Sequence, residues 1–135
     1  LLRNEAIHQE QDMRDSTLIM LGSLLAALGV MLGAFGAHAL KARVTPEMLE
    51  VWQTAVFYHL VHALAVLLVA TLAVRLGTSV GWIAMLFIAG ILLFSGSLYA
   101  LVLTGMRPLG MITPIGGVLF IAGWVWLSVT AWRVS

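Results

Sequence analysis

Apolar residues in this chain fall into four long runs, separated by short polar breaks that carry glycine or proline. The first follows Ser16-Thr17 and ends near Leu40. The second opens on Thr45-Pro46-Glu47 and stops at Gly77. The third goes from Trp82 to Leu103 and the fourth from Leu109 to Trp132. None alternates with the period of two that marks a half-buried strand. Each is about 20 residues or longer, and a helix of that length crosses a hydrocarbon core about 30 Å thick. The pattern predicts an all-α, integral membrane four-helix bundle. Its transmembrane helices lie at about residues 17–40, 46–76, 82–103 and 109–132.

The breaks refine these elements. Thr45 offers an N-cap hydroxyl, Pro46 suits the first helical position, and Glu47 complements the helix dipole. Ser16 or Thr17 is placed to cap the first helix. Gly77 is a natural C-terminal stop. Residues 78–81 then make a tight connection, so the second and third helices are expected to be antiparallel neighbours. Pro114 should kink the fourth helix or confine its regular part to the residues that follow. The second helix exceeds the hydrocarbon core, which leaves Glu47 and Glu50 wet and puts Trp52 at headgroup depth. Trp124, Trp126 and Trp132 cluster as an aromatic belt would.

Residues 1–15 form a polar leader with four of the six acids. The expectation is a mobile tail or a non-native extension, with Met13 as the native start and residues 16–135 as the single domain. Composition agrees with the runs, at 61% hydrophobic and 10% charged. Soluble domains average about 25% charged. The absence of cysteine excludes disulfides and thiolate metal sites. A net charge of +1 gives no argument for nucleic acid. Arg14, Arg75 and Arg133 flank one membrane side and Lys41, Arg43 and Arg107 the other, so the cations do not set an orientation.

Polar groups within the spans are few, and intramembrane ionisable residues are functional candidates by default. Trp52, Ala55, Tyr58, His59 and His62 share one arc of the second helix. Partners for them exist on every other helix: His38, Ser95, Ser97, Tyr99 and Thr113. Two readings stand side by side. The histidines could hold a metal, haem, quinone or lipid, with His38 and His62 as the ligands if a metal is present. Alternatively the polar groups satisfy one another inside the bundle. No Asp or Glu lies in a span, which argues against a carboxylate relay and a Ser-His-Asp set. Gly29, Gly33 and Ala37 recur every four residues as a small-residue packing face, which Gly36 widens. Gly96, Gly116, Gly117 and Gly123 are expected to be helix contacts on the third and fourth helices.

Four motifs occur in order: G-A-F-G-A-H at Gly33 to His38, W-x5-Y-x3-H at Trp52, Tyr58 and His62, L-F-S-G-S-L-Y at Leu93 to Tyr99, and T-P-I-G-G-x2-F-x2-G-W at Thr113 to Trp124. Together they resemble the YgdD-like family of small bacterial inner-membrane proteins, a domain-of-unknown-function family. The resemblance covers roughly residues 17–132. It implies a four-helix membrane protein and no reaction. It names His38, Trp52, Tyr58, His62, Ser95, Ser97, Tyr99, Thr113 and Pro114 as pattern positions, and His59 is outside it.

The expectation is that these positions meet in one polar cluster. A gap of more than about 12 Å between His38 and His62 is too wide for a shared ligand or water chain. The favoured function is a non-enzymatic packing, assembly or accessory protein of the inner membrane, in contact with lipid and with other membrane proteins or its own copies. The alternative is an intramembrane binding module built on the His/Tyr/Ser cluster. A small oligomeric channel or transporter is a weaker third. No cofactor is firmly implied.

Overall fold

The computed structural model describes residues 1–77 and 79–135. Thr78, part of the expected 78–81 connection, lies outside the described residues. Four helices are long and apolar enough to cross a membrane: α1 (Leu2–Leu40), α2 (Pro46–Thr71), α3 (Ser79–Thr104) and α4 (Arg107–Arg133). The described residues contain no strands.

Local chemistry accounts for the ends. Thr45 caps α2 through its hydroxyl, which accepts from the Met48 N–H at 3.2 Å, and Pro46 follows it in the first turn. A break at Leu72 ends α2 earlier than expected, and Ala73–Leu76 adds one further turn before Gly77. Gly77 and Gly105 take φ of +73° and +72°, a region that other residues enter only with strain. In α4 the first turns, Arg107–Met111, are 3-10, and the regular α-helix starts at Thr113. Pro114 thus sits in its first turn, where a missing N–H costs nothing.

The polar leader differs from expectation. It is helical from Leu2 and continuous with the first span. Its residues are mostly good helix formers, with Glu5 in the first turn and no glycine or proline to break it. Thr17 is accordingly no cap. Its hydroxyl donates back to the Met13 carbonyl at 2.9 Å, inside the helix.

α2 is the central element. In its most apolar stretch 44% of residues are buried, against 33% in α3 and 17% in α1 and in α4. Its buried positions include Trp52, Ala55, His59, His62, Val66 and Val69, spaced alternately three and four apart. That is the heptad seam of left-handed helix packing. α1 answers with Gly22, Gly29 and Gly36, seven residues apart and all buried. A methyl on any of the three would press into α2: Gly22 against Leu67, Gly29 against Leu60, Gly36 against Trp52. The packing line on α1 therefore has a spacing of seven, not four. Gly29 belongs to it, Gly33 is only half-buried beside Val56, and Ala37 is exposed.

α3 and α4 interlock through aromatic rings laid on glycines. Phe87 of α3 covers Gly123, and Phe120 of α4 covers Gly90. Gly116 meets the backbone of Phe94. That contact falls in a π-helical turn of α3, Ile91–Ser95. Gly117 makes only ordinary contact with the Phe94 ring, and Gly96 meets nothing beyond a carbonyl of its own helix at 3.9 Å. Gly96 is thus no packing glycine, contrary to expectation.

Candidate functional site

The intramembrane polar groups form a set of ties radiating from α2. Nearest the α1–α2 loop, the Trp52 indole N–H donates to the Leu32 carbonyl of α1 at 2.8 Å. Trp52 is 1% exposed, between Phe35 and Tyr99, so it is an interior residue and not a headgroup anchor. One turn further the Ser95 hydroxyl of α3 donates to the Ala55 carbonyl at 2.7 Å. Ser97 of α3 bonds Thr113 of α4 at 2.6 Å and also donates to the Phe94 carbonyl.

His59 links three helices. Its Nε2 lies 2.8 Å from the Leu25 carbonyl of α1, and its Nδ1 lies 2.9 Å from the Tyr99 hydroxyl of α3. A carbonyl only accepts, so Nε2 carries a proton, and in the neutral ring Nδ1 accepts from the Tyr99 hydroxyl. His62 has the opposite arrangement. The Trp124 indole of α4 only donates, and it lies 3.0 Å from Nε2. Nδ1 therefore bears the proton and donates to the Tyr58 carbonyl at 2.8 Å. The ring stacks on Phe120 with centroids 3.5 Å apart and planes 10° from parallel.

Both imidazoles are thus buried and engaged at both nitrogens, and the Trp124 donor keeps His62 neutral. Among the described residues no three His, Asp or Glu side chains gather as metal ligands would. Every buried side-chain N or O among them has a hydrogen-bond partner. The opposite tautomers are directly testable. Solid-state 15N NMR of the protein in bilayers, with labelled histidine, is expected to give an Nε2–H signal for His59 and an Nδ1–H signal for His62. One common tautomer, or a doubly protonated ring at His62, would contradict the geometry.

His38 is not part of this set. It lies in the π-helical turn Gly36–Leu40 that ends α1, where Gly36 and Leu40 take the inward positions and His38 is exposed. Gly36 is level with Trp52, and His62 lies ten residues further along α2, a rise of about 15 Å. The two chains are antiparallel, so His38 is further still. The expected single cluster does not form, and a ligand shared between His38 and His62 has no geometry. Tyr58 also lies off the seam, 38% exposed, packed on Phe94 and Phe120. It borders an open groove of about 300 Å³, with His62, Phe120 and Trp124 also in its lining.

Two members of the set carry more than the sequence pattern assigns them. His59 lies outside the four motifs, yet it occupies a seam position of the three-four repeat, which was readable in the sequence. Trp124 looked like part of an aromatic belt, but it is the hydrogen-bond donor to His62 and packs on Phe87.

Comparisons with known proteins agree with a membrane protein. The "UPF0382 membrane protein SAB0533" of Staphylococcus aureus (strain bovine RF122 / ET3-1) is 46% identical over 117 residues, covering 87% of this chain and 96% of the relative. The "UPF0382 membrane protein YwdK" of Bacillus subtilis is 49% identical over 118 residues, covering 84% and 94%. No solved structure matches the chain significantly. The model for "Protein of unknown function (DUF423)" matches residues 32–117, from the end of α1 to the start of α4. With its four apolar helices and these relatives, the chain belongs to the DUF423 family of polytopic membrane proteins.

Proposed function

We propose that the protein is a non-enzymatic packing or assembly partner of other components in the bacterial inner membrane. The observation that carries this reading is the engagement of both nitrogens on both buried imidazoles. A histidine whose lone pair already accepts from Tyr99 or Trp124 has none to give a metal or haem iron. The polar set is spent on holding helices together, which is how polar groups commonly serve in lipid. What remains for partners is the outer surface of α1 and α4, the two least buried helices. The ordered motifs from Gly33 to Trp124 support placing the chain in the YgdD-like group of small inner-membrane proteins.

The test compares native mass spectra of gently solubilised wild type and His62→Ala, alongside photo-cross-linking in membranes. The expected result is no mass that disappears on His62→Ala, together with cross-links from probes at the exposed Met31 of α1 or Val125 of α4. An added mass present in wild type and lost in His62→Ala overturns the reading. It would favour the second one, a lipid-soluble ligand in the groove beside Tyr58, His62 and Trp124. The aromatic lining of that groove is the observation on its side.

A further inference from the structure

Where α1 enters the apolar region it passes the start of α3. Arg14 lies there against Gly81. A methyl added to that glycine would be 3.6 Å from both the Cδ and the Nη1 of Arg14. The arginine is exposed and borders two cavities. On one side is a notch of about 430 Å³ lined by Leu18, Gly81, Trp82 and Met85. On the other is a small cavity of about 80 Å³, to which Glu10, Gln11 and Asp15 contribute. Trp82 is 67% exposed near the start of α3, and exposed indoles near the ends of membrane helices favour the interface. Leu18 and Met85 are about one turn deeper, in the apolar spans. The notch thus has a cation at its mouth, carboxylates just beyond, and apolar walls running toward hydrocarbon.

We propose that this notch binds one phospholipid with a zwitterionic, primary-amine headgroup. The phosphate meets the Arg14 guanidinium, a charge-assisted hydrogen bond. The ammonium turns to Glu10 and Asp15, and an acyl chain lies in the notch against Leu18, Trp82 and Met85. The two acids discriminate among lipids. They repel a purely anionic headgroup, and a quaternary ammonium has no N–H to donate to them.

The experiment uses the full chain in nanodiscs of equal parts phosphatidylethanolamine, phosphatidylglycerol and phosphatidylcholine, with native mass spectrometry after release into detergent. The expected spectrum carries one retained phosphatidylethanolamine. Arg14→Gln removes the charged hydrogen bond and is expected to lower the retained fraction about tenfold. Gly81→Leu fills the notch and lowers it as far. Its Cβ meets only the Arg14 side chain, at the ordinary distance of 3.6 Å, and an unfolding midpoint equal to wild type is required of the variant. His62→Ala leaves the lipid bound, which separates this site from the groove beside Tyr58. No retained lipid, unchanged retention in Arg14→Gln, or a preference for either of the other two lipids overturns the proposal.

Discussion

Gly116→Ala is expected to destabilise the protein by about 3 kcal/mol, at the upper end of what overpacking costs. The ideal position of the new methyl falls on the backbone N of Phe94, with the Phe94 Cα and Cβ 2.7 Å away. Side chains can rotate out of a clash, but a helix backbone cannot. α4 would have to move away from α3 as a body. That shift would loosen Phe120 over Gly90 and Phe87 over Gly123, and strain the Ser97–Thr113 bond. Gly117→Ala provides the control, since its methyl meets the Phe94 ring at 3.8 Å, an ordinary contact. It is expected to cost less than about 0.5 kcal/mol, and better helix propensity could make it neutral. Reversible unfolding in mixed detergent micelles measures both. Equal stability of the two variants would mean that α3 and α4 are not in backbone contact at this point.

Much of the fold was legible because membrane helices announce themselves by run length. Four runs gave four spans, and Thr45-Pro46 marked the α2 start to the residue. The α1 start was missed for a physical reason. A polar segment without glycine or proline carries no stop signal, so hydropathy alone cannot separate a tail from a helix that projects beyond the bilayer. The site was legible in part. Ser95, Ser97, Tyr99, Thr113 and His62 stand out in the sequence as polar groups within apolar spans, and each makes a hydrogen bond between helices. His38 was grouped with them by residue type, and type carries no depth. Its position near the end of a span antiparallel to α2 sets it far from His62, and that follows from topology. Small residues misled in a related way. A four-residue spacing selected Gly33 and Ala37, whereas the seam at Gly22, Gly29 and Gly36 follows seven. Only the partner helix, with its own three-four repeat, decides between the two.

Trp52→Ala is expected to cost about 3 kcal/mol, the low end for a buried tryptophan because lipid offers no hydrophobic penalty for exposed apolar surface. Three contacts go at once: the fit over Gly36, the ring packing on Phe35 and Tyr99, and the bond to Leu32. Their relative weights can be separated. Trp52→Phe retains a ring but loses the indole N–H, and a hydrogen bond between membrane helices is worth about 0.6 kcal/mol. It is therefore expected to cost about 1 kcal/mol, with packing supplying the rest of the alanine effect. Gly36→Ala attacks the same contact from the other helix. Its methyl would stand 2.5 Å from Trp52 Cδ1 and 2.7 Å from Nε1, so it too is expected to destabilise, by about 1–3 kcal/mol. If ring and glycine are one contact, the second substitution adds little to the first. With the ring gone, the methyl at residue 36 has nothing to strike and fills part of the cavity. The double variant should then be more stable than the sum of the single losses by about 1 kcal/mol or more, as residues in direct contact are. Strict additivity would show that Trp52 and Gly36 act separately, and would leave the α1–α2 seam resting on Gly22 against Leu67 and Gly29 against Leu60.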